Sequence, residues 1–360
     1  MSRFAGLCAA VLAMAGSVSI AHAGPPDSTL AVVMTNAPSG NEIRVYDAAS
    51  HALVQSLPTN GKGGVSGNAR GVRSLDGELL AVVNNGSNTV SVFRRAGDRL
   101  RFDKLVTTSS APVSIDFGND HMYVAGATTV DSFVIHGNTV GWLDGTALLE
   151  LATGGAPPNG STAQVGVLDD RTLLVTLKAD PDPGTVDVVR LRDGAIDGAV
   201  PTAVSAPAGT LTPFGFAALG DGTAVITLAH SDQVGLFRND AFRAVIPVGQ
   251  GAPCWMTRTG KYLFTANTGS RSISRFVSTG SQVFVDAVVA ANITAGGSPS
   301  DLDADAGVMA VLDRGAGQSH LTFFSYNRFG ELTPSSQPVT IGVPGANGVA
   351  IMAAPDRDDR

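Results

Sequence analysis

Val82 to Phe93 reads VVNNGSNTVSVF, and Thr265 to Phe276 reads TANTGSRSISRF. The two segments align without a gap at an offset of 183 residues (Val82 to Thr265), and the match reaches back to Ser74 and Thr257. Gly77 meets Gly260, Asn84 meets Asn267, Gly86 meets Gly269 and Ser87 meets Ser270. The offset is about four periods of 46 residues, the size of a small antiparallel sheet repeated along a chain. A unit of that size cannot bury its own apolar face, so the units must stack on one another.

Weaker copies fill the intervals. Each has a short strand, a turn with Gly or Asp, a strongly apolar strand, a polar loop, an alternating strand and a last edge strand. Full copies span 71–106, 113–151, 164–204, 214–248, 255–293 and 301–341. The ends supply a seventh. Leu30 to Leu57 holds everything but a first strand, and Gly348 to Ala353, GVAIMA, is a first strand with nothing after it. Joining them closes a ring and removes the two open edges that a broken ring exposes. The expected fold is all-β: a seven-bladed β-propeller of four-stranded antiparallel blades, with the C-terminal strand completing the first blade. A Gly count of 43 and only 15% charged residues agree with a turn-rich β chain.

The N-terminus reads as an export signal. Arg3 is a short positive region, Leu7 to Ile20 is apolar and uncharged, and Ala21-His22-Ala23 is a small-x-small cleavage site. The expected organisation is a signal peptide at 1–23 and one propeller domain at 24–360. Leu7 before Cys8 is too large for a lipid-attachment box. No other stretch is long and apolar enough to span a bilayer, so an exported chain, periplasmic or extracellular, is expected. Without Cys8, Cys254 has no partner and an internal disulfide is excluded. A net charge of −7 with mixed signs leaves no basic footprint for nucleic acid.

The segments VVNNGSNTVSVF, GKYLFTANTGSRSISRF (Gly260 to Phe276) and, more loosely, APVSIDFGNDHMYVAG (Ala111 to Gly126) resemble the YVTN-type repeat. They also resemble the secreted relatives of the seven-bladed lactonase family. That resemblance implies the scaffold, and with it the chemistry of 6-phosphogluconolactonases or a muconate cycloisomerase. The family tends to carry a Pro-His-x-His-like turn at the start of the fourth blade and Pro-Arg-His at the start of the fifth. Here those places read Pro158-Asn159-Gly160-Ser161 and Pro213-Phe214-Gly215. A family Glu is replaced near Ala229-His230.

Function on a propeller usually gathers at one mouth of the channel, where loops between second and third strands meet the lead-ins to first strands. The loops offer Asn85, Lys178, His230, Asn267, Asp313 and Arg314 as ligand-binding candidates. The lead-ins add Arg70 and Gln164. His230 is the candidate general base, because its pKa lies near neutrality, with Asp232 placed to orient it. The plainer reading is a solvated turn. Arg70 breaks the repeat at a channel lead-in, which marks it as a ligand or oxyanion contact. Asp313 and Arg314 read either as a polar grip or as a surface pair. Asn84 and Asn267 share one repeat position and read as structural. Asp301-x-Asp303-x-Asp305 lacks the Gly and Glu of a calcium loop, and no zinc spacing occurs, so neither metal nor cofactor is expected.

Two functions stay open. One is a binding or scaffold module taking a small polar ligand or a protein segment at the channel mouth. The other is a hydrolase or isomerase opening a lactone, with His230 as base and Arg70 or Arg314 for the oxyanion.

Overall fold

Each copy of the repeat folds as one antiparallel sheet, and the computed structural model arranges seven of them as the blades of a propeller. It describes residues 28–149, 161–178, 183–315, 317–335 and 337–354. The leader and its cleavage site lie outside these. Blade two is representative: Val72–Leu75 is innermost, followed outward by Leu79–Asn84, Thr89–Ala96 and Arg99–Thr107. In blades four and seven the outermost strand comes in two short pieces.

The head and tail share a sheet, as the repeat count requires. Asn347–Met352 pairs antiparallel with Leu30–Met34 and forms the inner edge of blade one. All six of its residues are buried. Arg95 locks it from blade two, donating to the carbonyls of Met352 and Ala353 and to that of Ser28.

Five of the seven second strands are buried along their whole length, as in Leu79–Asn84 and His121–Gly126, because neighbouring blades cover both faces; those of blades six and seven are only part-buried at Tyr262, Val308 and Arg314. The third strands differ from the expected alternation between core and rim. Ser91 is as buried as Val90 and Val92, because its hydroxyl donates to the carbonyl of Thr59 in blade one. Gly77, Gly222 and Gly260 sit at positive φ (67°, 66° and 55°) in the hairpins from first to second strand.

The inner strand of every sheet is an edge, and an edge leaves N–H groups without strand partners. Neighbouring blades supply the acceptors. The amide of Val165 donates to Ser114, Val167 to Asp116, Phe216 to Gln164 and Ile351 to Asp303. Part of the polar lining of the channel is therefore ring mortar.

Candidate functional site

The channel has two unlike ends. At the first, loops between second and third strands meet the lead-ins to inner strands. At the second lie the hairpins from inner to second strands.

The first mouth is closed by residues 63–70, which lie across it. Trp255 of blade six donates its Nε1–H to the Asn68 carbonyl (2.8 Å). Asn68 donates to the Val113 carbonyl of blade three (2.8 Å), and its Oδ1 accepts from Asn347 (2.8 Å). The Ala69 amide donates to Ala163 of blade four (3.0 Å). Val65, Asn68 and Ala69 are buried. Glycines permit the close approach: a Cβ on Gly63 would meet the Asn36 backbone at 2.3 Å.

Most of the sequence-predicted residues are engaged in holding this end together. Lys178 Nζ donates to the carbonyls of Ser66 (2.9 Å) and Gly67 (2.7 Å). Asn85 donates to the Pro112 carbonyl. Gln164 makes a two-way bond to the Phe216 backbone, 2.9 Å in each direction. Asn267 donates to Ser272 and Ser274, and Asn84 to Thr89 and Ser91, so the shared position ties second strand to third through side chains. Asp313 and Arg314 turn apart, as successive strand residues do. Asp313 is buried against His320 (3.2 Å), while Arg314 Nε donates to the Ala346 carbonyl. His230 is exposed on the loop after Leu228, and the Asp232 carboxylate accepts the Ala252 amide.

Arg70 alone points the other way. It ends the plug at φ +57° and enters the channel beneath it. There the second mouth opens into a cavity of about 1520 Å³. Register explains its walls. Opposite the third residue of each second strand stands one inner-strand residue per blade. Blades two, three, six and seven place Arg73, Asp116, Thr257 and Asp303 there. Blades one, four and five place Ala350, Gly166 and Ala217. Of the small residues Ala217 borders the space, and the other four make it polar.

Asp116 is the hub. Its Oδ1 takes Arg73 Nε–H at 2.9 Å, and its Oδ2 lies 3.3 Å from Arg70 Nη1 and accepts the Val167 amide at 3.0 Å. Burial works to raise the Asp116 carboxyl, but Arg70 and Arg73 outweigh it and hold the group below the usual carboxylate range. The Arg70 guanidinium lies over the Phe216 ring, 5.9 Å from its centroid. Groups nearer the closed mouth are driven toward neutrality instead. Burial pushes Asp301 up to about 8 and Lys178 down to about 8.

Sequence reasoning found Arg70 but passed over Arg73, Asp116 and Thr257, and took Asp303 only as part of an acidic run. The available signal was the repeat itself: the 183-residue offset sets Arg73 against Met256, a charged residue against an apolar one in the middle of a strand rather than in a loop. Among the described residues no group of three or more His, Cys, Asp or Glu side chains is placed to hold a metal. Asp301 and Asp303 turn oxygens to the amides of Val349 and Ile351, which accounts for their alternation.

No protein-family model and no curated protein matches the sequence. Solved structures do match the fold. A putative 6-phosphogluconolactonase from Bacteroides fragilis aligns over 90% of this chain and 98% of its own, with TM-score 0.63 and 14% identity. A periplasmic gluconolactonase from Pseudomonas aeruginosa aligns over 91% and 100%, with TM-score 0.63 and 17% identity. A streptogramin B lyase aligns over 79% and 94%, with TM-score 0.54 and 14% identity. The chain thus shares the seven-bladed scaffold of lactonase-type propellers.

Proposed function

We infer that this chain is an exported binding propeller that holds a small polar ligand in its central channel, admitted through the second mouth. One observation carries the reading: residues 63–70 seal the usual mouth, while the opposite one leads to a charged cavity floored by Arg70, Arg73 and Asp116. Export rests on the leader-like 1–23 segment and accords with the periplasmic location of the Pseudomonas relative.

Lactone opening is the second reading, favoured by the scaffold shared with the gluconolactonase. It needs a base and an oxyanion donor that converge. The family's His-bearing turns are missing from the sequence, and His230 sits at the sealed end while Arg70 faces the open one.

A thermal-shift screen of small polar metabolites, run with a lactone-hydrolysis panel, tests both. The expected result is a ligand that raises the melting temperature of the native chain but not of Ala218→Trp, which fills the cavity wall, and no lactone turnover above buffer. A ligand that stabilises both proteins equally refutes the channel site. Turnover that is lost in Ala218→Trp makes the protein a channel enzyme instead.

A further inference from the structure

The floor of the cavity has more hydrogen-bond donors than the protein uses. A guanidinium carries a fork of N–H groups and no acceptor. Among the described residues, Arg73 Nε–H is the one of these groups on Arg70 and Arg73 that donates a hydrogen bond. The Arg70 contact to Asp116 is an ion pair at 3.3 Å. Arg70 and Arg73 keep 19% and 29% of their side-chain surface, so the remaining donors are reachable from the cavity.

The acceptors are largely spent. Asp116 receives Arg73, Arg70 and the Val167 amide. Asp303 receives the Ile351 amide at 2.9 Å and Thr257 at 3.5 Å. Ser74, next to Arg73 and lining the same cavity, has a buried hydroxyl with no partner among the described residues. Burial and the neighbouring Arg73 both oppose the charge on Arg70. A surplus of cavity-facing donors on two like charges is matched by an oxyanion.

The charge balance narrows the class. Two guanidiniums already face two carboxylates in this layer, so a monoanion leaves one net negative charge and a dianion leaves two beside Asp116 and Asp303. The rim reinforces this modestly, because Asp76, Glu78 and Asp305 outnumber Arg95 and Arg258 along the approach.

We propose that the floor is a carboxylate site, in which the carboxylate of a small monoanion takes the open N–H groups of Arg70 and Arg73. The Ala217 and Ala218 side of the channel leaves room for the rest of the molecule. This deepens the binding reading above and rests on it.

Titration calorimetry with acetate, glycolate and lactate tests the assignment, with inorganic phosphate and glycerol as comparisons. The expected result is measurable binding of at least one carboxylate, weakened about tenfold or more by Arg73→Gln, the loss typical of a charge-assisted hydrogen bond. Arg73→Lys should recover part of that loss. Arginine Nε–H resonances of the native protein give a readout that needs no variant: carboxylate should shift those of Arg70 and Arg73 and leave that of Arg275, which lies outside the cavity on Asp286, unmoved. Phosphate binding more tightly than every carboxylate, unchanged affinity in Arg73→Gln, or unmoved resonances each overturn the site. If glycerol binds and Ala218→Trp abolishes it, the carboxylate site falls and the channel reading stands.

Discussion

The two ends of the channel are built from the same repeat and have opposite jobs. At the closed end, Lys178, Asn68, Asn347 and Trp255 all bond the plug or its neighbours, and the polar atoms left over, such as Arg314 Nη2 and Asp313 Oδ2, are buried away from any ligand. At the open end, Arg70 and Arg73 hold donors that the protein does not use. A polar residue near a propeller axis is therefore not evidence of a ligand until its partners are counted. Substitutions at the closed end should cost stability, and those at the open end should cost binding.

The tail strand touches both ends, with Asn347 on the plug and Ala353 under Arg95, so its removal should erase the comparison altogether. Deleting Gly348 onward strips buried Val349, Ile351 and Met352 from blade one. At roughly 1.5–3 kcal/mol for each such side chain, that approaches the whole stability of an ordinary domain. The truncated chain should melt far lower or fail to fold; an unchanged melting curve contradicts the clasp.

Trp255→Ala sharpens the contrast. It removes an 8%-exposed side chain, its edge-on contact to Phe214 and the bond to Asn68. The expected loss is about 3 kcal/mol in chemical denaturation, with ligand affinity in the channel preserved. Lost affinity at preserved stability would place the ligand at the wrong end for this account.

Asp301 should give an effect that depends on pH. Folding raises its pKa, so the folded chain keeps a proton that the unfolded chain releases above about pH 4. This contribution to stability is complete below that pH and fades as the pH climbs to about 8. Asp301→Asn should flatten the stability profile between those limits; a profile parallel to that of the native chain argues against a protonated Asp301. The smallest change is expected at exposed His230. Replacement by Ala should move stability by no more than about 0.5 kcal/mol and leave ligand affinity in the channel unchanged.

Much of this was legible in the residues. The pairing of Val82–Phe93 with Thr265–Phe276 gave the period, and the unmatched first strand at Gly348 gave the closure. Arg70 was visible as a break in the repeat. Arg73 and Asp116 were not, because each lies inside a strand where polar residues read as ladder members. Gln164 and Lys178 read as mouth residues, and no local pattern tells a free amide or ammonium from one already bonded to a distant carbonyl.

The chain by itself determined the number of blades, their strand order and how the ring closes. These follow from the period and from apolar runs, which act between neighbours in sequence. Tertiary structure alone decided which mouth is sealed and which donors remain open. That depends on where residues 63–70 land among blades three, four and six, contacts separated by up to 187 positions, and no repeat encodes the partner of a side chain across the axis.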